Sequence, residues 1–353
     1  MTCASPASML DQTLDQRTRP LGVLRLSLTA RCNLACPYCC PDFADPPGML
    51  TLEQHLRLIR VAARLGVNTL RLTGGEPLLS DRLMPLLAGL ADGRHTPGDP
   101  LAGLRDVALT TNGVLLSEER AKALKNTGLD RITVSLDAVD GTVAARMAGL
   151  RGGGIAGERL VRQVLAGLVA ARAAGFDPAA GALKLNAVIQ KGVNDDQLIP
   201  LAELARSQRM ELRLIEYMDV GNRNGWRMDQ VLPAEVMLQR IAEHWPLRPL
   251  GRNNGGTARR WRFRDDVSDV GFIASISEPF CGDCNRLRIT ADGQAFTCLF
   301  AAQGTDLNPA MGSDQELEHA IRSLWQRRSD RYSEDRHFKA DPLPRAEMAY
   351  LGG

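Results

Sequence analysis

The sequence predicts an α/β fold, a partial TIM-like (β/α)6 barrel followed by a C-terminal extension that carries a second cysteine centre. Two observations predict it. Six short apolar-alternating segments each give way to a helical stretch or a loop, and repeated β-α units imply a parallel sheet. The cysteines are also gathered at the two ends of the chain, with none between residues 41 and 280. Six units rather than eight imply an open barrel, with ligands at the C-terminal ends of its strands.

Residues 1–20 read as a polar, loosely ordered N-terminal tail, without the basic start and apolar core of a secretory signal. Residues 24–29 form the first strand, with one apolar face. A cysteine loop and a turn-rich stretch, DFADPPG, follow. The amphipathic segment 51–65 is a helix, capped by Thr51 and ended by Gly66. Residues 69–73 form the second strand and run into Gly74-Gly75-Glu76-Pro77. Strands are then expected at 106–111, 131–137, 183–189 and 211–218, and helices at 117–127, 158–174 and 197–208. The rhythm is lost over 219–280, which holds a short helix at 233–244 and a flexible basic connection at 251–260. A helix at 314–328 precedes the tail. The domain reading is a tail at 1–20, the barrel at 21–220, the extension at 221–340, and a tail at 341–353 ending in Gly-Gly.

The first cysteine loop carries the chemistry. Cys32, Cys36 and Cys39 are spaced C-x3-C-x2-C, so one loop can aim three thiolates at one centre. Zinc wants four ligands, usually as two C-x2-C pairs. A [4Fe–4S] cluster usually also takes four thiolates, so three leave one iron open to a substrate or cofactor. A zinc knuckle and a ferredoxin-like cluster are the bland alternatives. Cys40 points away from Cys39 and reads as a packed thiol.

With Tyr38 just before the last cysteine, this loop resembles the signature of radical S-adenosylmethionine (SAM) enzymes. In them the open iron takes the amine and carboxylate of SAM, and the reduced cluster cleaves SAM to a 5′-deoxyadenosyl radical. The GGEP stretch one β-α unit later strengthens the resemblance, because a similar stretch lies against the methionyl amine there.

The second set, Cys281, Cys284 and Cys298, is spaced C-x2-C-x13-C. A zinc ribbon would need His244 or Cys3 as its fourth ligand, and neither sits at ribbon spacing. Arg286 and Arg288 alternate on a strand and share a face. Two guanidiniums beside an open metal position suit a polyphosphate. Arg25, Arg71 and Lys184 alternate with leucines and point to the barrel interior, where a cation is costly without an anion. Lys184 is one of only five lysines; an internal salt bridge to Glu76 or Glu216 is its plain alternative.

From about Arg19 to the final Gly-Gly the chain resembles the GTP 3′,8-cyclase (MoaA) family of molybdenum cofactor biosynthesis. The motifs are LRLSLTARCN, LRLTGGEPL, LTTNG, ITVSLDA, LKLNAVIQKGVND, RLIEYMDVGN and FCGDCNRLRITADG. The resemblance implies two [4Fe–4S] clusters. Cys32, Cys36 and Cys39 would hold the SAM-cleaving one, and Cys281, Cys284 and Cys298 one that binds guanine. It implies SAM contacts at Tyr38, Gly75, Ser135 and Met218. It implies GTP contacts at Arg25, Arg71, Thr110, Lys184, Arg286 and Arg288, the last two also counted as catalytic. The implied reaction makes (8S)-3′,8-cyclo-7,8-dihydroguanosine 5′-triphosphate: H3′ of GTP is removed and C3′ is joined to C8. The implied partners are an electron donor such as a flavodoxin and the downstream cyclic pyranopterin monophosphate synthase. The Gly352-Gly353 tail is implied to reach into the active site. A radical SAM enzyme acting on a peptide is the alternative.

Composition sets the remaining expectations. A net charge of +2 makes no case for nucleic acid, and no apolar run approaches a membrane span. Unpaired thiols fit a cytoplasmic protein. A homodimer is possible.

Overall fold

The computed structural model describes residues 13–336 and 345–352. In chain order the barrel contains β1 (Val23–Ser27), α1 (Leu52–Arg64), β2 (Thr69–Thr73), α2 (Leu83–His95), β3 (Asp106–Thr111) and α3 (Glu118–Asn126). It continues with β4 (Arg131–Ser135), α4 (Gly141–Met147), α5 (Gly153–Ala173), β5 (Leu183–Ile189), α6 (Leu198–Ser207) and β6 (Glu211–Glu216). All six expected strands are present. Thr51 caps α1 as expected. Its Oγ1 accepts from Gln54 N, and the Gln54 side chain accepts from Thr51 N, a reciprocal cap.

α2 is absent from the sequence reading. Pro85, Gly89 and Gly93 punctuate it like a loop. Buried Leu83, Leu86, Leu87 and Leu90 hold it against the sheet all the same. The helix expected at 158–174 begins earlier, at Gly153, and the short α4 precedes it.

The C-terminal region comprises α7 (Ala234–His244), β7 (Leu247–Gly251), β8 (Arg259–Phe263), β9 (Asp269–Ile273), β10 (Arg286–Ile289), β11 (Gln294–Phe296), β12 (Thr305–Asp306), α8 (Asp314–Gln326), α9 (Tyr332–Asp335) and α10 (Met348–Leu351). It continues the sheet at both edges. β9 pairs parallel with β6, and β10 pairs parallel with β1. Eight parallel strands therefore run β10-β1-β2-β3-β4-β5-β6-β9, flanked by antiparallel strands in the order β12-β11 and β8-β7. The stretch 251–260, expected as a flexible connection, is the end of β7, the turn at 252–258 and the start of β8.

Residues 13–20 are not the loose tail expected of 1–20. Asp15 and Arg19 are buried and paired at 2.6 Å. Arg19 also donates to Cys281 O and Asp330 O, so this segment braces the second cysteine set. The core is the outer face of the strands, where Leu24, Leu26, Leu70, Leu72 and Leu185 are fully buried beneath the helices. No helix among the described residues is long and apolar enough to cross a membrane.

One core residue sets a pH dependence. His55 on α1 is fully buried, and neither ring nitrogen has a partner among the described residues. Burial, reinforced by Arg82, pulls its pKa down to about 4. An unfolded histidine binds a proton near pH 6.5 that the folded one refuses until about pH 4. Stability from this site is complete above 6.5 and is lost as pH falls toward 4, by about 1.4 kcal/mol per pH unit. Chemical unfolding of His55→Leu is expected to lack that slope. An unchanged slope would show that the ring is not what titrates.

Candidate active site

The strands deliver their inward side chains to one cavity of about 1080 Å³. All six predicted cysteine ligands line it, as do Tyr38, Gly75, Ser135, Met218, Arg25, Arg71, Thr110, Lys184, Arg286 and Arg288. Sheet register explains the cationic row. Arg25 on β1 stands beside Arg71 on β2 and Arg288 on β10, so three guanidiniums lie abreast on three neighbouring strands. The Arg71 guanidinium has no hydrogen-bond acceptor among the described residues.

The crowding shows in their energetics. Burial, then Arg288, Arg71 and Arg286, holds the Arg25 guanidinium well below its ordinary value. Burial, then Arg131 and Arg213, brings Arg71 down to about 9, and burial with Arg286 brings Arg288 to about 10. Burial and mutual repulsion lower all three, so an anion entering this wall would be favoured.

At the first cysteine loop the backbone needs glycine. A side chain on Gly75 would place Cβ 2.2 Å from Arg31 O, because the GGEP turn lies directly against the chain entering Cys32. Gly75 N donates to Thr29 O and Glu76 N donates to Arg31 O, both at 2.8 Å. Glu76 is buried and accepts from Leu78 N, Thr111 Oγ1 and Asn112 N. It thereby fixes Asn112, whose amide reaches Cys32 Sγ at 3.7 Å and Asn33 Oδ1 at 2.8 Å. Tyr38 donates to Asp137 at 2.7 Å, and Asp137 accepts from Val188 N. Cys40 is half-buried in a left-handed conformation, with its thiol turned onto Pro37 O.

At the second set, the β10–β11 hairpin returns the chain so that Cys298 faces the Cys281–Cys284 turn. Burial pushes the Cys298 thiol up to about 12. Burial also raises Cys284, but Arg286 and Arg328 override it and bring the thiol down to about 6. Arg328 donates to Cys284 O at 2.6 Å and to its Sγ at 3.1 Å.

This donor chemistry fits iron–sulfur clusters. Each set offers three thiols on one cavity wall, and among the described residues no fourth cysteine for either set lines it. Cys3 lies outside the described residues.

Lys184 does make an internal ion pair, with a partner other than the two expected. Its Nζ pairs with Glu211 at 2.7 Å, not with Glu76 or Glu216. Sequence reasoning also missed Arg213, which lines the cavity and binds Glu211 at 2.6 Å. Its alternation with Leu212 and Leu214 is the same signal that pointed to Arg25. Asn112, Asp137 and Arg328 left no such signal, since their roles arise from contacts between distant segments. The C-terminal tail also enters the cavity. Gly352 O accepts from Arg25 Nη2 at 2.9 Å and from Arg288 Nη1 at 3.4 Å. Gly353 lies outside the described residues.

Comparison with known proteins gives the architecture its relatives. The Radical SAM superfamily model matches residues 26–205, and Molybdenum Cofactor Synthesis C matches 210–334. The chain is 70% identical to GTP 3′,8-cyclase of Synechococcus sp. (strain CC9605) over 339 residues, 96% of this chain and 98% of that one. It is 44% identical to GTP 3′,8-cyclase of Xanthomonas campestris pv. campestris (strain B100) over 348 residues, 96% and 97% of the two chains. Streptococcus suis SuiB bound to S-adenosylmethionine shares the fold, with a TM-score of 0.60 at 14% identity over 94% of this chain and 77% of that one. Its similarity shows fold alone. With near-complete coverage by such relatives, and both matched regions opening onto one cavity, the chain belongs to the GTP 3′,8-cyclase family of radical SAM enzymes.

Proposed function

We propose that this chain converts GTP to (8S)-3′,8-cyclo-7,8-dihydroguanosine 5′-triphosphate, using SAM and two [4Fe–4S] clusters. The observation that carries the reading is the row Arg71–Arg25–Arg288 lining one cavity together with two three-cysteine sets.

Cys32, Cys36 and Cys39 would hold the cluster that binds SAM, and Cys281, Cys284 and Cys298 the auxiliary cluster. When bound, these groups supply the hydrogen-abstracting radical and an open iron for guanine. The protein's own part is positioning and exclusion. The backbone at Tyr38 and Gly75, with Ser135 and Met218, forms the SAM side of the cavity. Arg25, Arg71, Thr110, Lys184, Arg286 and Arg288 take the triphosphate and ribose, where guanidinium forks match phosphate oxygens. Water must be kept from the reacting carbon, and the entry of Gly352 onto Arg25 and Arg288 narrows the cavity. We further assign a flavodoxin-like reductant, a downstream cyclic pyranopterin monophosphate synthase, a cytoplasmic location and a homodimer as expectations of the family.

The test is anaerobic reconstitution with dithionite and SAM, with and without GTP, read by mass spectrometry. Deoxyadenosine that rises with GTP, together with an isomer of GTP, is the expected result. Deoxyadenosine indifferent to GTP would point to another substrate, such as a peptide. In parallel, iron and sulfide analysis is expected to find about eight of each per chain, falling to about four in Cys281→Ser. That variant is expected to keep SAM binding and lose GTP turnover.

A further inference from the structure

Burying cations without an anion is costly, yet this cavity is lined by Arg25, Arg71, Lys184, Arg213, Arg286 and Arg288 together. A deep carboxylate, Glu211, stands among them. Strand register sets Glu211 of β6 directly beside Lys184 of β5. Its Oε2 lies 2.7 Å from Lys184 Nζ, and its Oε1 lies 2.6 Å from Arg213 Nε. Arg260 Nε stands 3.9 Å from Oε2. Two other acids pair with further cations of the same wall, Asp106 with Arg131 and Asp269 with Arg260 and Arg262, and exposed Asp266 pairs with Arg248. Glu211 is the one that pairs with Lys184 and Arg213.

We propose that Glu211 is a resident counter-ion that occupies part of the polyphosphate's place and sets how affinity depends on phosphate number. This rests on the assignment of Lys184 and its neighbours to the triphosphate.

The argument is electrostatic. Before substrate arrives, Glu211 offsets the repulsion between Lys184 and Arg213 and holds both in reach of the cavity. Burial alone would push the Glu211 carboxyl up, but Arg213 and Lys184 hold it at about 2, so it stays charged when the ligand enters. It then repels each added phosphate and shares its cations with them. A nucleotide with more phosphates gains more from the cationic wall and also meets more of this repulsion. Glu211 therefore moderates the hold on a triphosphate, substrate or cyclised product, and leaves a monophosphate little affected.

The experiment is equilibrium binding of GTP, GDP and GMP to the anaerobic holoenzyme, in the parent and in Glu211→Gln. Removing one charge at this range is expected to tighten GTP about tenfold. GDP should tighten less and GMP least. A merely structural glutamate would weaken all three by a similar factor. That pattern, or an unchanged GTP affinity, overturns the proposal. Should Glu211→Gln not fold, Lys184→Met is compared with Lys184→Met/Glu211→Gln, which removes one charge of each sign. The double variant is expected to bind GTP more tightly than the single, and equal affinities overturn the proposal. Lys184→Met with parental GTP affinity would instead sink the triphosphate assignment on which it rests.

Discussion

Glu216→Ala is expected to cost about 3–5 kcal/mol of folding stability, since each buried donor left unpaired costs about 1–3 kcal/mol. Glu216 ends β6 and is fully buried. Its Oε1 accepts from Ala234 N at 2.8 Å, at the start of α7. Its Oε2 accepts from Ile276 N and Ser277 N at 2.8 and 2.9 Å, just after β9, and the Ser277 hydroxyl also donates to this carboxylate. One side chain thus ties the last strand of the barrel to the strand that the C-terminal region adds beside it. Alanine would strand the two buried N–H groups of Ala234 and Ile276 and unpair the part-buried N–H of Ser277. Glu216→Gln, which keeps the acceptor oxygen but replaces the other with an amide, is expected to lose roughly half as much. Urea unfolding followed by circular dichroism measures both. A loss below about 1 kcal/mol for alanine would mean that the junction repacks or admits water.

Arg288→Ala is expected to lower kcat/KM for GTP about a hundredfold while SAM affinity changes less than about twofold. A charge-assisted hydrogen bond to phosphate contributes about 1.5–3 kcal/mol, and 1.4 kcal/mol is a factor of ten. Arg288 is buried at one end of the cationic row, beside Arg25, and donates to Gly352 O. Lysine at this position keeps charge but loses the fork, so Arg288→Lys should recover only part of the activity. Measured GTP affinity equal to the parent's in Arg288→Ala would remove Arg288 from the triphosphate site. Because Gly352 would also lose a donor, adding Gly352→Ala tests whether the effect runs through the tail. A side chain there would bring Cβ to 2.6 Å from Thr73 Cγ2. Its added loss in the Arg288→Ala background should be small only if the tail mediates the whole effect.

Much of this molecule was legible before its folding was known, because it is written in local terms. Strand alternation decides which side chains face inward, so Arg25, Arg71, Lys184, Arg286 and Arg288 could each be placed on the cavity side from their own neighbours. The cysteine spacings likewise state their ligand count within one short stretch. What the sequence could not decide is register and return. That Arg71, Arg25 and Arg288 stand abreast depends on β10 arriving from over 200 residues away to pair with β1. The partner of Lys184 proved to be Glu211 because β5–β6 register sets those two Cα positions side by side, whereas Glu76 and Glu216 are consumed by backbone donors. α2 is helical because its leucines find a sheet to cover, against the evidence of its own proline and glycines. Residues 13–20 are ordered because Arg19 and Arg328 find carbonyls at the second cysteine turn. Alternation and spacing act between neighbours and survive in the bare sequence. Pairing of distant charges and strands is decided by packing, which exists only once the chain has folded.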